Sequence, residues 1–158
     1  MEHTYDSTVD TNKHQENIKW VYFTLFEPLM RSRILNHDQS KLADPEKACY
    51  DKYIPELRKN KFGSPEYKET REKMKKEGLE HHWMMNRHHP EHFGDARIQG
   101  MHLIDFVEHV LDCYASRLES DTGFSAGMEK VMQDNGYPEE LKEIIRNTDR
   151  ELFNGRRP

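Results

Sequence analysis

Five of the ten histidines in this 158-residue chain fall between positions 81 and 92, and the ten together outnumber its eight glycines. Imidazoles at that density point to a metal ion, because neutral histidine is the commonest protein ligand of transition metals. Upstream stands an adjacent pair, His37-Asp38, with Lys41 three positions beyond Asp38. An imidazole and a carboxylate side by side offer nitrogen and oxygen to one divalent ion, a mixed set suited to Fe, Mn, Co or Zn. Alone, such a dipeptide is common on solvated surfaces, so its context decides.

That context lies in four places. His14 shares a helical stripe with Ile18 and Val21 and is read as facing inward, as a ligand or as a satisfied core histidine. His82 lies four residues before Asn86, on one helix face, and leads into His88 and His89. Asp112 is flanked by Val110-Leu111 and Cys113-Tyr114. An acid in so apolar a helix needs a salt bridge, a cap or a cation, because burying it alone is too costly. Asp105 and Glu108 precede it by seven and four residues on nearly the same face. Either a divalent cation or several Lys and Arg offset that acidic stripe, or the helix rolls it outward.

Lys41, about one helical turn past Asp38, can point at the same centre as a mobile charge for phosphate, or be a surface lysine. Arg87 is a weaker candidate for a bidentate phosphate contact. His81, His92, His102 and His109 are assigned to solvent or to the surroundings of the ligands, and His3 to the tail.

The elements that must position these groups read as helices. Ile18, Val21, Leu25 and Leu29 recur at steps of three and four, predicting an amphipathic helix over 11–35 that Pro28 should kink or break. Asp44-Pro45 is a cap followed by proline at the first helical position, opening a helix to about residue 59 with a disturbance at Pro55. Ser64-Pro65-Glu66 repeats that signal and leads into a charged helix over about 65–86 whose first turns are solvated. The stretch from His88 to Asp95, with Pro90 and Gly94, is a loop. Met101, Ile104, Val107, Leu111, Tyr114 and Leu118 then mark a central core helix over 98–118, and two shorter helices, about 124–134 and 138–152, follow. Period-two alternation is nearly absent, so the fold is read as all-α. One domain is expected over 11–158, with a flexible stretch over 1–10.

In order, the pattern is His14, then His37-Asp38 after 23 residues, then histidines between 82 and 89, then Asp112. This order resembles the HD-domain superfamily of helical metal-dependent phosphohydrolases and phosphodiesterases. The resemblance implies a helical bundle with a metal site between central helices. It also implies that His14, His37, Asp38 and Asp112 hold a first ion, and that His82 with His88 or His89 holds a second. The form His-Asp-x-x-Lys, His37 to Lys41, is similar to the binuclear subgroup, in which that lysine contacts a substrate anion. The stretches HDQSKLADPE, YDKYIPEL, FGSPEYKE, LEHHWMMNRHHPEHF and LIDFVEHVLDCYAS also resemble an uncharacterised family of small HD-like proteins of phages and bacteria, over about residues 11–118. Cys113-Tyr114 departs from it, since a tryptophan commonly follows the aspartate there.

Other classes fall away. The longest apolar stretch, Trp20 to Phe26, is seven residues, far short of the roughly 20 that span a bilayer. Two cysteines make no disulfide framework, and a reducing cytoplasm is expected. A net charge of −5 gives no global basic surface for nucleic acid. The leading expectation is a hydrolase using one or two divalent ions on a nucleotide or related small phosphate ester, with Asp38 orienting the attacking water and Lys41, Asn86 and Arg87 around the substrate. Two alternatives stand beside it: an HD-like di-iron oxygenase, and a non-enzymatic, metal-stabilised protein-interaction module. Homo-oligomerisation is left open.

Overall fold

The computed structural model describes residues 5–118 and 124–153, and among them there are helices and turns but no strand. The all-α expectation is met. The chain divides into two compact units, Met1–His37 and Asp38–Pro158, where one domain over 11–158 was expected. Of the stretch 1–10, residues 1–4 lie outside the described residues, and with them His3. The first helix already begins at Thr8.

In the first unit, α1 (Thr8–Trp20), a π-helical turn (Val21–Phe26) and α2 (Glu27–Leu35) form one unbroken helical run. Pro28 does not break it. The proline sits in the first turn of α2, directly after the wide π-turn. A π-turn is one recognised place for a helix to absorb the missing N–H and the ring's clash with an earlier carbonyl. No residue of this run is buried, and His14 is exposed on α1. The expectation that His14 faces inward is therefore not met.

The second unit carries the chemistry. In α3 (Glu46–Lys59), Cys49, Tyr53 and Leu57 recur every four residues and bury one face, with Glu46 a turn ahead of them. Asp44 still serves the start of α3, accepting from the Ala48 N–H at 3.2 Å, and Pro55 lies inside the helix without ending it. Ser64 caps α4 (Pro65–Met74) as its sequence predicts, taking the Tyr67 N–H on Oγ at 3.2 Å. The helix then passes through a second π-turn (Lys75–Leu79) into α5 (Glu80–Met85). Within α4 only Thr70 and Met74 are buried, so its charged face is solvated. Gly78 lets this run touch α3: a Cβ there would stand 2.5 Å from Cys49 Cβ.

A turn at 86–89 and a 3₁₀ stretch (Pro90–Gly100) lead to α6 (Leu103–Leu118), α7 (Phe124–Asp134) and α8 (Glu139–Phe153). One core gathers Cys49, Tyr53, Leu57, Met74 and Leu79. Another gathers Ile98, Cys113, Met128, Met132, Tyr137 and Ile145. The buried face of α6 is not the expected apolar stripe. Ile104, Asp105, Glu108, His109, Cys113 and Tyr114 are buried, while Leu111 and Leu118 are exposed. The acids turn inward because each finds a positive or proton-bearing partner there, as follows.

Candidate metal centre

Asp38 opens the second unit in the left-handed region, with φ 56°. A side chain other than glycine is strained there, and such strain persists where the surroundings hold it. The conformation turns one carboxylate oxygen, Oδ1, to within 3.3 Å of His82 Nε2 and 3.4 Å of His88 Nε2. The other oxygen, Oδ2, is ion-paired with Lys41. His82 Nε2 also lies 2.8 Å from His89 Nε2. Asp38, His82, His88 and His89 thus offer four ligand atoms, all within 4.8 Å of one another. His82 and His88 are each 1% exposed.

These separations suit a cation. With metal–nitrogen bonds near 2.0–2.1 Å, neighbouring ligand atoms stand about 3.3 Å apart in a tetrahedron and about 2.9 Å at a right angle. Three of the six edges, 2.8, 3.3 and 3.4 Å, lie close to those values. His89 and His82 are in the state a metal needs. Burial, joined by its neighbours His88 and His82, pushes His89 down to about 2. Burial likewise lowers His82, although Asp38 and Glu46 pull it the other way. Both are neutral ligands at neutral pH.

The sequence assigned Asp38 to one ion and the loop histidines to another, whereas Asp38 stands with the histidines. His37 is the last residue of the first unit, one peptide bond before Asp38. Asp112 is near the same centre, with a ligand atom within 4.8 Å of one on His88. His14 belongs to the first unit.

Two residues expected around substrate are committed elsewhere. Arg87 makes the bidentate contact expected of it, but to a carboxylate of this chain: Nε and Nη2 donate to Asp105 at 3.1 and 2.8 Å. The guanidinium also stacks 5.0 Å from the Phe93 ring centroid. Asn86 closes the end of α5, donating to the His82 carbonyl at 2.8 Å and to Ser40 Oγ at 2.7 Å. Lys41 sits on Asp38 and 5.1 Å over the Tyr50 ring. That pairing leaves Asp38 Oδ2 occupied rather than free to orient a water.

Sequence reasoning missed Glu46, which is fully buried with its carboxylate against His81, His82 and Ser40. Burial alone would raise its pKa, but those three contacts outweigh it and hold the carboxyl below its usual value. It also missed the role of Glu108, whose Oε1 lies 3.3 Å from His88 Nδ1. The inward acidic stripe of α6 is offset, then, by Arg87 at Asp105 and by His88 at Glu108. The capping turn at Asp44-Pro45 was the visible signal for α3, but nothing local marks Glu46 as different from other first-turn acids.

A family model matches residues 3–153, that of a family of unknown function (DUF5662). No curated protein and no solved structure matches the chain. Among the described residues no helix is long and apolar enough to cross a membrane.

Proposed function

This chain belongs to the DUF5662 family, whose function is unknown, and from its own chemistry we propose that it is a metal-dependent phosphohydrolase acting on a nucleotide or related small phosphate ester. The observation that carries this reading is the convergence of one Asp38 oxygen and three imidazoles, two of them buried and one half-buried, spaced like the edges of a coordination polyhedron. Asp38, His82, His88 and His89 would hold the ion, with Asp112 close to His88. The donor set of three nitrogens and one carboxylate fits Zn, Fe, Co or Mn better than Mg or Ca, which prefer oxygen.

When bound, such an ion supplies a water acidified toward neutrality and polarises a phosphoryl oxygen. The chain's own residues do the rest. Lys41 is one-third exposed, and its ammonium has three N–H donors of which Asp38 takes one. The remaining donors would be available to an anionic substrate. Arg87, held on Asp105, fixes the loop that carries His88 and His89 rather than touching substrate. Burial of the imidazoles keeps bulk water from competing for their lone pairs.

Metal content of the purified protein, set beside that of Asp38→Ala and His88→Ala, tests the centre. Loss of the ion from both variants is expected, and retention by both would overturn the assignment. A screen of nucleoside mono- and triphosphates and cyclic dinucleotides with Mn or Co under nitrogen tests the reaction. Phosphate release is expected. An iron-loaded protein that consumes oxygen and releases no phosphate would move the reading to the oxygenase chemistry.

A further inference from the structure

We infer that Glu46 is a positioning residue of this centre, a single carboxylate that fixes the proton of His82 on Nδ1 and so aims the Nε2 lone pair at the ion. The inference rests on the metal reading above and extends it to a residue outside the ligand set.

The geometry leaves little choice. Glu46 is 0% exposed, and its carboxylate has three contacts: His81 Nδ1 at 2.8 Å on Oε1, and His82 Nδ1 at 2.7 Å and Ser40 Oγ at 2.9 Å on Oε2. An ionised carboxylate only accepts hydrogen bonds, so both imidazoles and the hydroxyl must donate. Asn86 Nδ2 lies 3.0 Å from His82 Nδ1 as well. Its two hydrogens, however, are spent on Ser40 Oγ and the His82 carbonyl, so it does not compete for the ring nitrogen. With the proton on Nδ1, His82 Nε2 meets Asp38 Oδ1 at 3.3 Å and His89 Nε2 at 2.8 Å with a lone pair. Asp38 Oδ1 is an acceptor facing that lone pair, an arrangement that a cation relieves, while His89 Nε2 is close enough to donate to it when it carries the proton.

A carboxylate behind a ligating imidazole both sets its tautomer and strengthens it as a donor to the metal. Glu46 can do this rigidly because α3 and the π-turn touch where Gly78 leaves room for Cys49. His81 adds a second restraint: by taking the other oxygen, it stops the carboxylate from rotating away. Glu108 stands in the same relation to His88, at 3.3 Å, which is longer and less decisive.

The first test needs no metal. Long-range proton–nitrogen correlation spectra of the metal-free protein read the tautomer of each imidazole. The expected result is a proton on Nδ1 of His82. A proton on Nε2, donated to Asp38, would overturn the inference. The second test is cobalt(II) titration followed by visible absorption. Glu46→Gln keeps the size but loses the charge and turns one accepting oxygen into a donor, and should bind cobalt about 10- to 100-fold more weakly, with an altered spectrum. Glu46→Asp should recover part of the loss. Unchanged affinity and spectrum in Glu46→Gln would overturn the inference alone. Failure of the parent protein to bind cobalt would overturn the metal reading and this inference with it. Should Glu46→Gln not fold, the tautomer of the parent still decides.

Discussion

Gly78→Ala offers a perturbation outside the ligand set, about one helical turn before His82, whose effect on the centre follows from steric size. The added Cβ would lie 2.5 Å from Cys49 Cβ and 2.6 Å from Cys49 Sγ, against about 3.5–4.0 Å for carbon atoms in favourable contact. The sulfur can swing to another rotamer, but Cβ is fixed to the backbone, so α3 and the π-turn must separate by about 1 Å. Overpacking of that kind costs about 1–3 kcal/mol, and alanine's better helix propensity returns about 1 kcal/mol. A net destabilisation of about 1–2 kcal/mol is expected, read from urea unfolding of the metal-free protein. The larger consequence is local. Glu46 begins the same helix, and its Cα would lie 3.7 Å from the new Cβ. A 1 Å retreat of α3 would carry its carboxylate from 2.7 Å to about 3.7 Å from His82 Nδ1, beyond hydrogen-bonding distance. Cobalt affinity should then fall as it does for Glu46→Gln. A Gly78→Ala protein with parental stability and parental cobalt affinity would refute the idea that this close approach sets the site.

Arg87→Leu leaves the fully buried Asp105 without its guanidinium. Breaking a buried pair costs about 3–5 kcal/mol, and because the Arg87 side chain is 41% exposed about 2–3 kcal/mol is expected, checked by chemical denaturation. Loss below about 0.5 kcal/mol, the range of a surface substitution, would mean that water replaces the arginine. Burial lowers His109 to about 4, so the unfolded chain takes up its proton first. That stability is complete above pH 6.5 and is lost as the pH falls toward 4. Between pH 7 and 5, metal-free His109→Gln should lose about 1–2 kcal/mol less than the parent, and identical pH slopes would contradict this. Saturating Zn or Co at about 100 times its dissociation constant should stabilise the parent by about 2.7 kcal/mol. Chelation should reverse the gain and His88→Ala abolish it, as thermal melts would show; a gain kept in His88→Ala would place the ion elsewhere.

The helices and the residue types of the centre follow from local rules alone. Ser64-Pro65 signalled the start of α4 through a cap that depends only on neighbouring residues, and the segments after residue 124 were legible from turns at Gly136-Tyr137-Pro138. The crowding of imidazoles at 81–92 and the His37-Asp38 pair pointed to a cluster able to hold a metal, because residue chemistry does not depend on the fold.

Which groups meet was decided only by packing. The apolar stripe of α6 predicted Leu111 and Leu118 inside, yet Asp105 and Glu108 are buried instead, because Arg87 and His88 come from a distant loop to meet them. Arg87 looked available for phosphate until its carboxylate partner, Asp105, was seen. Glu46 had no local mark at all, since its two imidazole partners lie about 35 positions away. Local rules fix where a helix starts. Which carboxylate stands behind which imidazole depends on contacts between residues far apart in the chain, and these exist only once the helices have packed.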